Sequence, residues 1–219
     1  HLKLESTKIL SDIISIISEL VTEVKLKVTK EGLTLTAIDP ANVAMAYFKI
    51  PSDLFTEYEL EKDEVLGINL DNLKQILRRC KPGSFLTLGR EENKLKIGIQ
   101  DRIKREFSLA LIEIDVDEKN LPEWEFNSVV KMNADTFVEV IEDSLIVSDA
   151  CTFIAEPNKF IVEASGLNSA RAEFSSDELE IHSGNSVARF SLEYLNKFAK
   201  GAKISSRATL SFSDNHPMR

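Results

Sequence analysis

The spacing of apolar positions along the chain predicts four amphipathic helices. In residues 9–21, the isoleucines and leucines fall on one arc at about 100° per residue, and serines and acidic residues fill the other arc. The same period predicts three more helices, over residues 71–81, 135–145 and 193–203. Asp71 or Asn72 is suited to cap the second helix, and Pro82 and Gly83 end it.

Between these helices, apolar and polar residues alternate with a period of two, which predicts short strands. In the first half of the chain they are predicted at residues 25–28, 33–38, 43–50, 64–68, 85–88, 94–99 and 107–112. In the second half they are predicted at residues 128–132, 152–155, 160–163, 170–174, 178–181, 187–190 and 208–212. Lys30, Glu31 and Gly32 form a three-residue turn, so the first two strands are expected to pair as a hairpin.

The two halves repeat one plan of strand, helix, strands, helix, strands. An offset of 122 residues places Leu70 on Leu192 and Arg78 on Lys200, and it also matches Leu73, Ile76, Lys81, Thr87 and Leu88 with similar residues. Matched order over most of each half favours duplication of an α+β domain. Residues 114–127 are acidic and lack a helical or strand period, which is typical of an exposed connector. We therefore predict an N-terminal domain over 1–113, a connector over 114–127 and a C-terminal domain over 128–219.

The net charge of −9 argues against a nucleic-acid partner until the position of the cations is considered. Residues 73–81 and 195–203, in the second and fourth helices, contain seven cations and no acidic residue: Lys74, Arg78, Arg79, Lys81, Lys197, Lys200 and Lys203. The helix dipole alone accounts for cations near a C-terminus such as Lys81 and Lys203, but not for Lys74 and Lys197. A cationic face without aromatic residues is typical of contact with phosphates and not with bases.

The sequence gives little support for catalysis. It contains no zinc-protease, phosphate-loop, dinucleotide-binding or nucleophile-elbow motif, and we interpret Asp39 and Asp71 as loop and cap residues. The histidines and cysteines are scattered, at His1, His182, His216, Cys80 and Cys151. We expect no catalytic residue, no metal site, no cofactor and no disulfide framework. No apolar run approaches the roughly 20 residues that cross a bilayer, and no signal peptide is apparent, so the expectation is an intracellular protein without a membrane partner.

Four segments resemble the eukaryotic and archaeal DNA sliding clamps, the proliferating cell nuclear antigen family. They are residues 33–45 (LTLTAIDPANVAM), 68–80 (INLDNLKQILRRC), 121–132 (LPEWEFNSVVKM) and 191–218 (SLEYLNKFAKGAKISSRATLSFSDNHPM). The many Lys, Ile and Glu residues, without a nuclear-targeting run, favour an archaeal member. The resemblance implies two similar α+β domains, each with antiparallel sheets outside and two helices inside, in a trimeric ring closed head to tail. It implies a DNA polymerase processivity factor that encircles duplex DNA, cytoplasmic and nucleoid-associated if archaeal and nuclear if eukaryotic.

The resemblance also implies sites for protein partners. DNA polymerase, clamp loader, flap endonuclease and ligase would insert short peptides at the residues that match the family's docking region: Ile38, Asn42, Val43, Met45, Leu121, Pro122 and Trp124. For Trp124, packing over the sheet is the alternative role. Subunits would join through edge strands over residues 105–112 and 169–175, with the interface residues Arg105, Phe107, Leu109, Leu111, Ala170, Ala172 and Phe174.

The chain departs from the family in two respects. Positions that carry Lys or Arg in the family hold Ser11, Asp12, Glu139 and Glu142, which weakens the DNA face and suggests a ring of non-identical subunits. Family members continue beyond the position of Arg219, so the second domain is expected to lack its last strands. A checkpoint-type clamp subunit and a protein-interaction scaffold that never meets DNA remain as alternatives.

Overall fold

Two helices and two antiparallel sheets build each half of the chain. The computed structural model describes residues 1–114 and 123–219, apart from the side chain of Lys203. Contacts divide the chain into two units, residues 1–121 and 122–219. Because residues 115–122 lie outside the description, the predicted connector is described only at its two ends, and its bounds stay a prediction.

The first unit contains helices α1 (Lys8–Ile17) and α2 (Leu70–Leu77). Its strands are β1 (Leu2–Leu4), β2 (Glu23–Thr29), β3 (Gly32–Ile38), β4 (Met45–Pro51), β5 (Glu57–Tyr58), β6 (Glu64–Asn69), β7 (Phe85–Glu91), β8 (Lys94–Gln100) and β9 (Lys104–Ala110). They form a four-stranded sheet in the order β4-β3-β2-β6 and a five-stranded sheet in the order β5-β1-β7-β8-β9.

The second unit contains helices α3 (Ala134–Leu145) and α4 (Leu192–Ala199). Its strands are β10 (Ser128–Asn133), β11 (Ala150–Glu156), β12 (Lys159–Ser165), β13 (Ser169–Ser175), β14 (Glu180–Ser183), β15 (Ser186–Ser191) and β16 (Arg207–Phe212). They form sheets in the orders β13-β12-β11-β15 and β14-β10-β16. The four-stranded sheet has the same topology as its counterpart in the first unit, which confirms the predicted duplicated α+β plan.

Each unit has a core where the apolar faces of its helices and strands meet. In α1 the buried side chains recur at Leu10, Ile13, Ile14 and Ile17, the spacing of one helical face. In the second unit, Phe153 packs edge-on against three other rings, from Phe160, Phe190 and Phe212, at centroid distances of 5.2–5.9 Å. Full burial of one such side chain stabilises the fold by roughly 1.5–3 kcal/mol, so this cluster is a major source of stability for the unit.

The four predicted helices are correct in place, and α3 ends at Leu145 as predicted, whereas α1, α2 and α4 end about four residues earlier than predicted. After α2 the backbone hydrogen bonds change from α-helical to 3₁₀ spacing, and the Arg79 N–H donates to the Ile76 carbonyl oxygen at 2.9 Å. Similarly, α4 continues as a 3₁₀ turn over Lys200–Ile204. The N-cap of α2 is Asn69, not Asp71 or Asn72. Its side-chain oxygen accepts the Asn72 N–H at 3.0 Å, because the extended backbone at the end of β6 turns that side chain toward the helix.

Two further details of the sequence prediction are wrong. Gly32 pairs with Thr29 inside the β2–β3 ladder, so the hairpin turn contains two residues and not three. Gly32 has φ +141°, a conformation that other residues rarely adopt, and a Cβ there would lie 2.2 Å from the Ile50 carbonyl oxygen, so this position requires glycine. The strand predicted from residue 43 begins at Met45, which leaves Val43 in the preceding loop.

The two cysteines are expected to differ in reactivity. Cys151 is 1% exposed, and burial raises the pKa of its thiol to about 12, whereas Cys80 is half-buried and burial raises its pKa as well. Because only the thiolate is alkylated, iodoacetamide at about pH 8 should leave Cys151 unmodified in the native protein and modify both thiols in denaturant. Mass spectrometry after timed quenching measures this, and native alkylation of Cys151 as fast as in denaturant would contradict the described packing.

Candidate functional site

The cations of α2 face two directions. Lys74 and Arg78 are four residues apart and share one face, next to α1. Lys74 is half-buried and its Nζ donates to Ser18 Oγ at 3.0 Å, whereas Arg78 and the following Lys81 are exposed. The face therefore presents the charges of Arg78 and Lys81 to solvent, while Lys74 joins the two helices.

Arg79 lies on another side of α2, beside the edge strand β9. With Phe107 and Leu109 of β9 it lines a groove of about 400 Å³, whose other lining residues are Asn72, Gln75 and Ile76 of α2. The sequence placed Arg79 with the DNA-contact residues. Its position also places it beside the predicted subunit edge, and we call this surface the α2–β9 groove.

The cations of α4 are partly engaged by their own helix. Lys197 Nζ lies 3.2 Å from Glu193 Oε1 and 5.3 Å from the centroid of the Tyr194 ring. Lys200, which the repeat matches to Arg78, is half-buried just after the helix, and the side chain of Lys203 lies outside the described part. The buried residues of α4 are Leu192, Leu195 and Ala199, and Phe198 beside them is 37% exposed.

The other helix of each unit is not cationic. In α3, the exposed side chains include Glu139, Glu142 and Asp143, and the helix contains no Lys or Arg. In α1, Lys8 Nζ lies 2.6 Å from Asp12 Oδ2, an exposed pair that cancels its own charge. In each unit, therefore, only the second helix, together with the residues that follow it, has an excess of cations.

The strands predicted to join subunits are both at the edge of a sheet. Among the described residues β9 pairs with β8 alone, and its Phe107 and Leu109 turn inward while Lys104, Glu106 and Ser108 are exposed. Arg105 bonds to the Asp101 carboxylate and donates to the Arg79 carbonyl oxygen at 3.2 Å. The predicted strand extended to residue 112, but β9 ends at Ala110, because Leu111 turns to donate its N–H to the Asn93 carbonyl oxygen.

β13 is the second edge strand, with β12 as its neighbour. Ala170, Ala172 and Phe174 are half-buried on its inner side. A groove of about 330 Å³, which we call the α3–β13 groove, separates it from α3; its lining residues include Val140, Asp143, Ile146, Val147, Ala170 and Ala172. On the exposed side, hydrogen bonds from Arg171 and Lys159 hold the pKa of the Glu173 carboxyl below its usual range.

One buried carboxylate organises the loop between β3 and β4. Asp39 is 5% exposed, and its oxygens accept backbone N–H groups from Val43 at 2.7 Å, Ala44 at 2.8 Å and Ala41 at 3.3 Å. The loop turns at Asn42, which has φ 56°, and it leaves Val43 64% exposed. The sequence named Asp39 only as a loop residue; an Asp followed by proline is a signal for such side-chain capping.

The structure brings together the predicted docking residues of the first unit. Ile38 and Met45 pair across the β3–β4 hairpin, directly beside the loop that holds Asn42 and Val43. Leu121 and Pro122 lie outside the described residues. Trp124, in the second unit, is 42% exposed and packs edge-on against Phe126 at 6.2 Å.

The start of the predicted connector lies on the same four-stranded sheet as this loop. Beyond β9, the Ile112 N–H donates to the Gly67 carbonyl oxygen of β6 at 3.0 Å. Sequence reasoning missed this contact, although a glycine between Leu66 and Ile68 in an apolar strand is a signal for close backbone approach.

Two searches of the described residues gave negative results. Residues 1–114 and 123–219 contain no group of three His, Cys, Asp or Glu side chains arranged to hold a metal ion. Within the same ranges, no helix has both the length and the apolar character needed to span a bilayer.

Comparison with known proteins gives matches along the whole chain. The family model for the proliferating cell nuclear antigen N-terminal domain matches residues 1–120, and the model for the C-terminal domain matches residues 120–219. The chain is 33% identical to a DNA polymerase sliding clamp of Nanoarchaeum equitans over 96% of its length and 88% of the relative's. It is also 33% identical to the DNA polymerase sliding clamp of Pyrococcus furiosus, over 98% of its own length and 89% of the relative's.

Solved structures of the same kind superimpose on the chain. The PCNA2-PCNA3 complex of Sulfolobus tokodaii matches with a TM-score of 0.90 at 27% identity, covering 99% of this chain and 91% of that one. The Proliferating Cellular Nuclear Antigen of Entamoeba histolytica matches with a TM-score of 0.91 at 21% identity, covering 99% and 90%. At that identity the second match supports the fold alone.

The Asp39 carboxylate is expected to stabilise the first unit. Asp39→Ala would leave buried N–H groups of Val43 and Ala44 without an acceptor, at a cost of about 1–3 kcal/mol. Urea unfolding followed by circular dichroism measures the loss. Asp63→Ala, at an exposed loop position, is the control and should change the free energy of unfolding by less than about 0.5 kcal/mol. Equal stability of the two variants would contradict the role given to Asp39.

Proposed function

Because the chain belongs to the proliferating cell nuclear antigen family of sliding clamps, we propose that it is a subunit of a ring that encircles duplex DNA and tethers DNA polymerase. The observation that carries the proposal is the match of both domain models along the whole chain, on a fold of two duplicated α+β units. The proposed role is topological tethering in DNA replication and requires no catalytic group.

We place the DNA-contact surface on the cationic faces of α2 and α4. Arg78 and Lys200 occupy equivalent positions in the repeat, so both units present a cation at the same point of their fold. Phosphate contacts carry no sequence information, as a protein that moves along DNA requires. Lys74 contacts Ser18 and Lys197 contacts Glu193, and these contacts limit the strength with which the two lysines bind phosphates. Weak phosphate contacts are sufficient for a ring, because a ring is held on DNA by its topology.

The ring is proposed to close by pairing of β9 with β13 of a second subunit. Edge strands have unpaired backbone groups that can extend a neighbour's sheet, and an extended sheet brings the flanking helix layers side by side. The α2–β9 groove would then meet the α3–β13 groove of the neighbour. Arg79 lines the first groove and Asp143 the second, so opposite charges accompany the apolar residues Phe107, Leu109 and Ile146.

Both complementary surfaces occur on one chain, which favours three identical subunits. The acidic residues Glu139 and Glu142 instead favour a ring of non-identical subunits, in which the other subunits supply more positive charge to the DNA face. The oligomeric state of the isolated chain decides between the two arrangements.

We place client docking at the β3–β4 loop and the connector. Val43 is a 64% exposed apolar side chain on a loop fixed by Asp39, with Ile38 and Met45 beside it. Such a surface fits a short helical turn with apolar and aromatic side chains. DNA polymerase, clamp loader, flap endonuclease and ligase are the proposed clients, and Asn42, Leu121, Pro122 and Trp124 complete the proposed site.

Reversal of charge on the two repeated cations tests the DNA face. Arg78→Glu combined with Lys200→Glu should weaken binding to duplex DNA at least about tenfold at low salt, because repulsion replaces attraction at two sites per subunit. The slope of log K against log salt concentration, measured by fluorescence anisotropy, should become shallower. Lys30→Glu, at the β2–β3 turn, is the matched control. Unchanged affinity and slope in the double variant would support a scaffold that does not contact DNA.

A charge swap tests the subunit interface. Arg79→Asp and Asp143→Arg should each shift the protein from trimer toward monomer, because each places like charges face to face, and the double variant should restore the trimer. Sedimentation equilibrium at micromolar concentration measures the species, with Lys62→Asp as an exposed control. Failure of the double variant to recover would exclude this pairing, and a wild-type monomer that assembles only with sister subunits would support the mixed ring.

A further inference from the structure

Gly67 is covered by the backbone of the chain segment that follows β9. A Cβ built at Gly67 would lie 2.0 Å from the Ile112 carbonyl oxygen and 3.1 Å from Ile114 Cγ1. The Ile112 N–H donates to the Gly67 carbonyl oxygen at 3.0 Å, so the two backbones touch through both a hydrogen bond and van der Waals contact. Only glycine allows this approach.

The register of the four-stranded sheet places this contact on the face that carries the docking residues. Gly67 pairs with Lys25, Lys25 with Thr36, and Thr36 with Tyr47, which forms one row across the four strands. Side chains of such a row point to the same face, and Ile38 and Met45 form the next row on that face.

The row gives the distance between the connector and the exposed end of the hairpin. Four strands span three inter-strand spacings, so Gly67 and Tyr47 are roughly 14 Å apart. Lys25 and Thr36, both half-buried, lie between them, and Tyr47 is 42% exposed at the far side. The start of the connector therefore forms one wall along the sheet face, and the β3–β4 hairpin lies opposite.

We infer that Gly67 is a positioning residue for client binding: the absence of its side chain holds the start of the connector against the sheet and sets the width of the docking surface. This inference rests on the proposed docking function. A methyl group at position 67 would push Ile112 outward by an ångström or more, because heavy atoms do not approach a Cβ within 3.0 Å. The displaced residues Ile112–Ile114 would then no longer contact β6, and the wall that they form beside Ile38, Met45 and Tyr47 would be lost.

The test compares two glycine-to-alanine variants in strands of the same unit. Gly67→Ala should weaken binding of a labelled peptide with one aliphatic and two aromatic residues on a helical turn by about tenfold, or about 1.4 kcal/mol. Gly89→Ala in β7 is the control, because a Cβ there meets no atom within 4 Å, and it should bind as wild type. Ring size is measured by sedimentation in both variants, because Ile112 directly follows β9. An unchanged ring is expected, and a loss of trimer in Gly67→Ala alone would assign the weaker binding to assembly and overturn the positioning role.

Hydrogen exchange gives a readout that does not depend on peptide binding. In Gly67→Ala the Ile112 amide should exchange faster, while amides of β2 and β3 keep wild-type protection, because only the connector contact is lost. A general loss of stability would instead raise exchange throughout the sheet. If Gly67→Ala does not fold, Ile112→Pro removes the same hydrogen bond from the other side, and it should reduce peptide affinity in the same direction.

The outcomes separate this inference from the function on which it rests. Wild-type peptide affinity in Gly67→Ala, or in Ile112→Pro where that variant is used, would overturn the positioning role and leave docking intact. If the wild-type chain binds no such peptide, the docking proposal fails. Unchanged exchange at Ile112 in Gly67→Ala would overturn the anchoring contact itself.

Discussion

Backbone hydrogen bonding at the sheet edges is the constraint on which this fold depends most. A strand inside a sheet pairs on both sides, whereas an edge strand such as β9 or β13 pairs on one side in the described part of the chain. Unpaired N–H and C=O rows favour the addition of another strand, and uncontrolled addition leads to aggregation. The charged side chains along these edges, Lys104 and Glu106 on β9 and Arg171 and Glu173 on β13, restrict which strand can be added. The proposed ring uses both edges and leaves neither open.

The burial of one face of each helix determines where that helix can carry charge. Each helix buries an apolar face on its own unit, so only the opposite arc can carry a charge that a partner meets. The chain as a whole is anionic, with a net charge of −9, but residues 73–81 and 195–203 contain seven of its 27 Lys and Arg residues and no Asp or Glu. A protein with this distribution is repelled by DNA over most of its surface and attracted at a limited one. Such a molecule favours passage along the duplex over tight binding at one place.

Periodicity predicted the strands and helices well because burial on one face is a local pattern. The strands over residues 85–91, 94–100 and 169–175 differ from prediction by one to three residues at their ends. The ends of α2 and α4 were predicted too far along the chain, because their last turns tighten into 3₁₀ geometry that the apolar spacing does not reveal. The contact of Gly67 with Ile112 joins residues far apart in sequence, so no local pattern contained it. Arg79 was assigned by charge alone, while its place beside Phe107 depends on how β9 packs against α2.

The capped loop after β3 has a consequence for how clients exchange. Three amides held by one carboxylate fix the loop during folding, so its conformational entropy is lost once and not at every encounter. Because such a surface is already ordered, it accepts a peptide without a slow rearrangement. Only the peptide then has to become ordered. At the proposed docking site, several enzymes would therefore compete for one surface, and their exchange would be governed by the dissociation rate of each bound peptide.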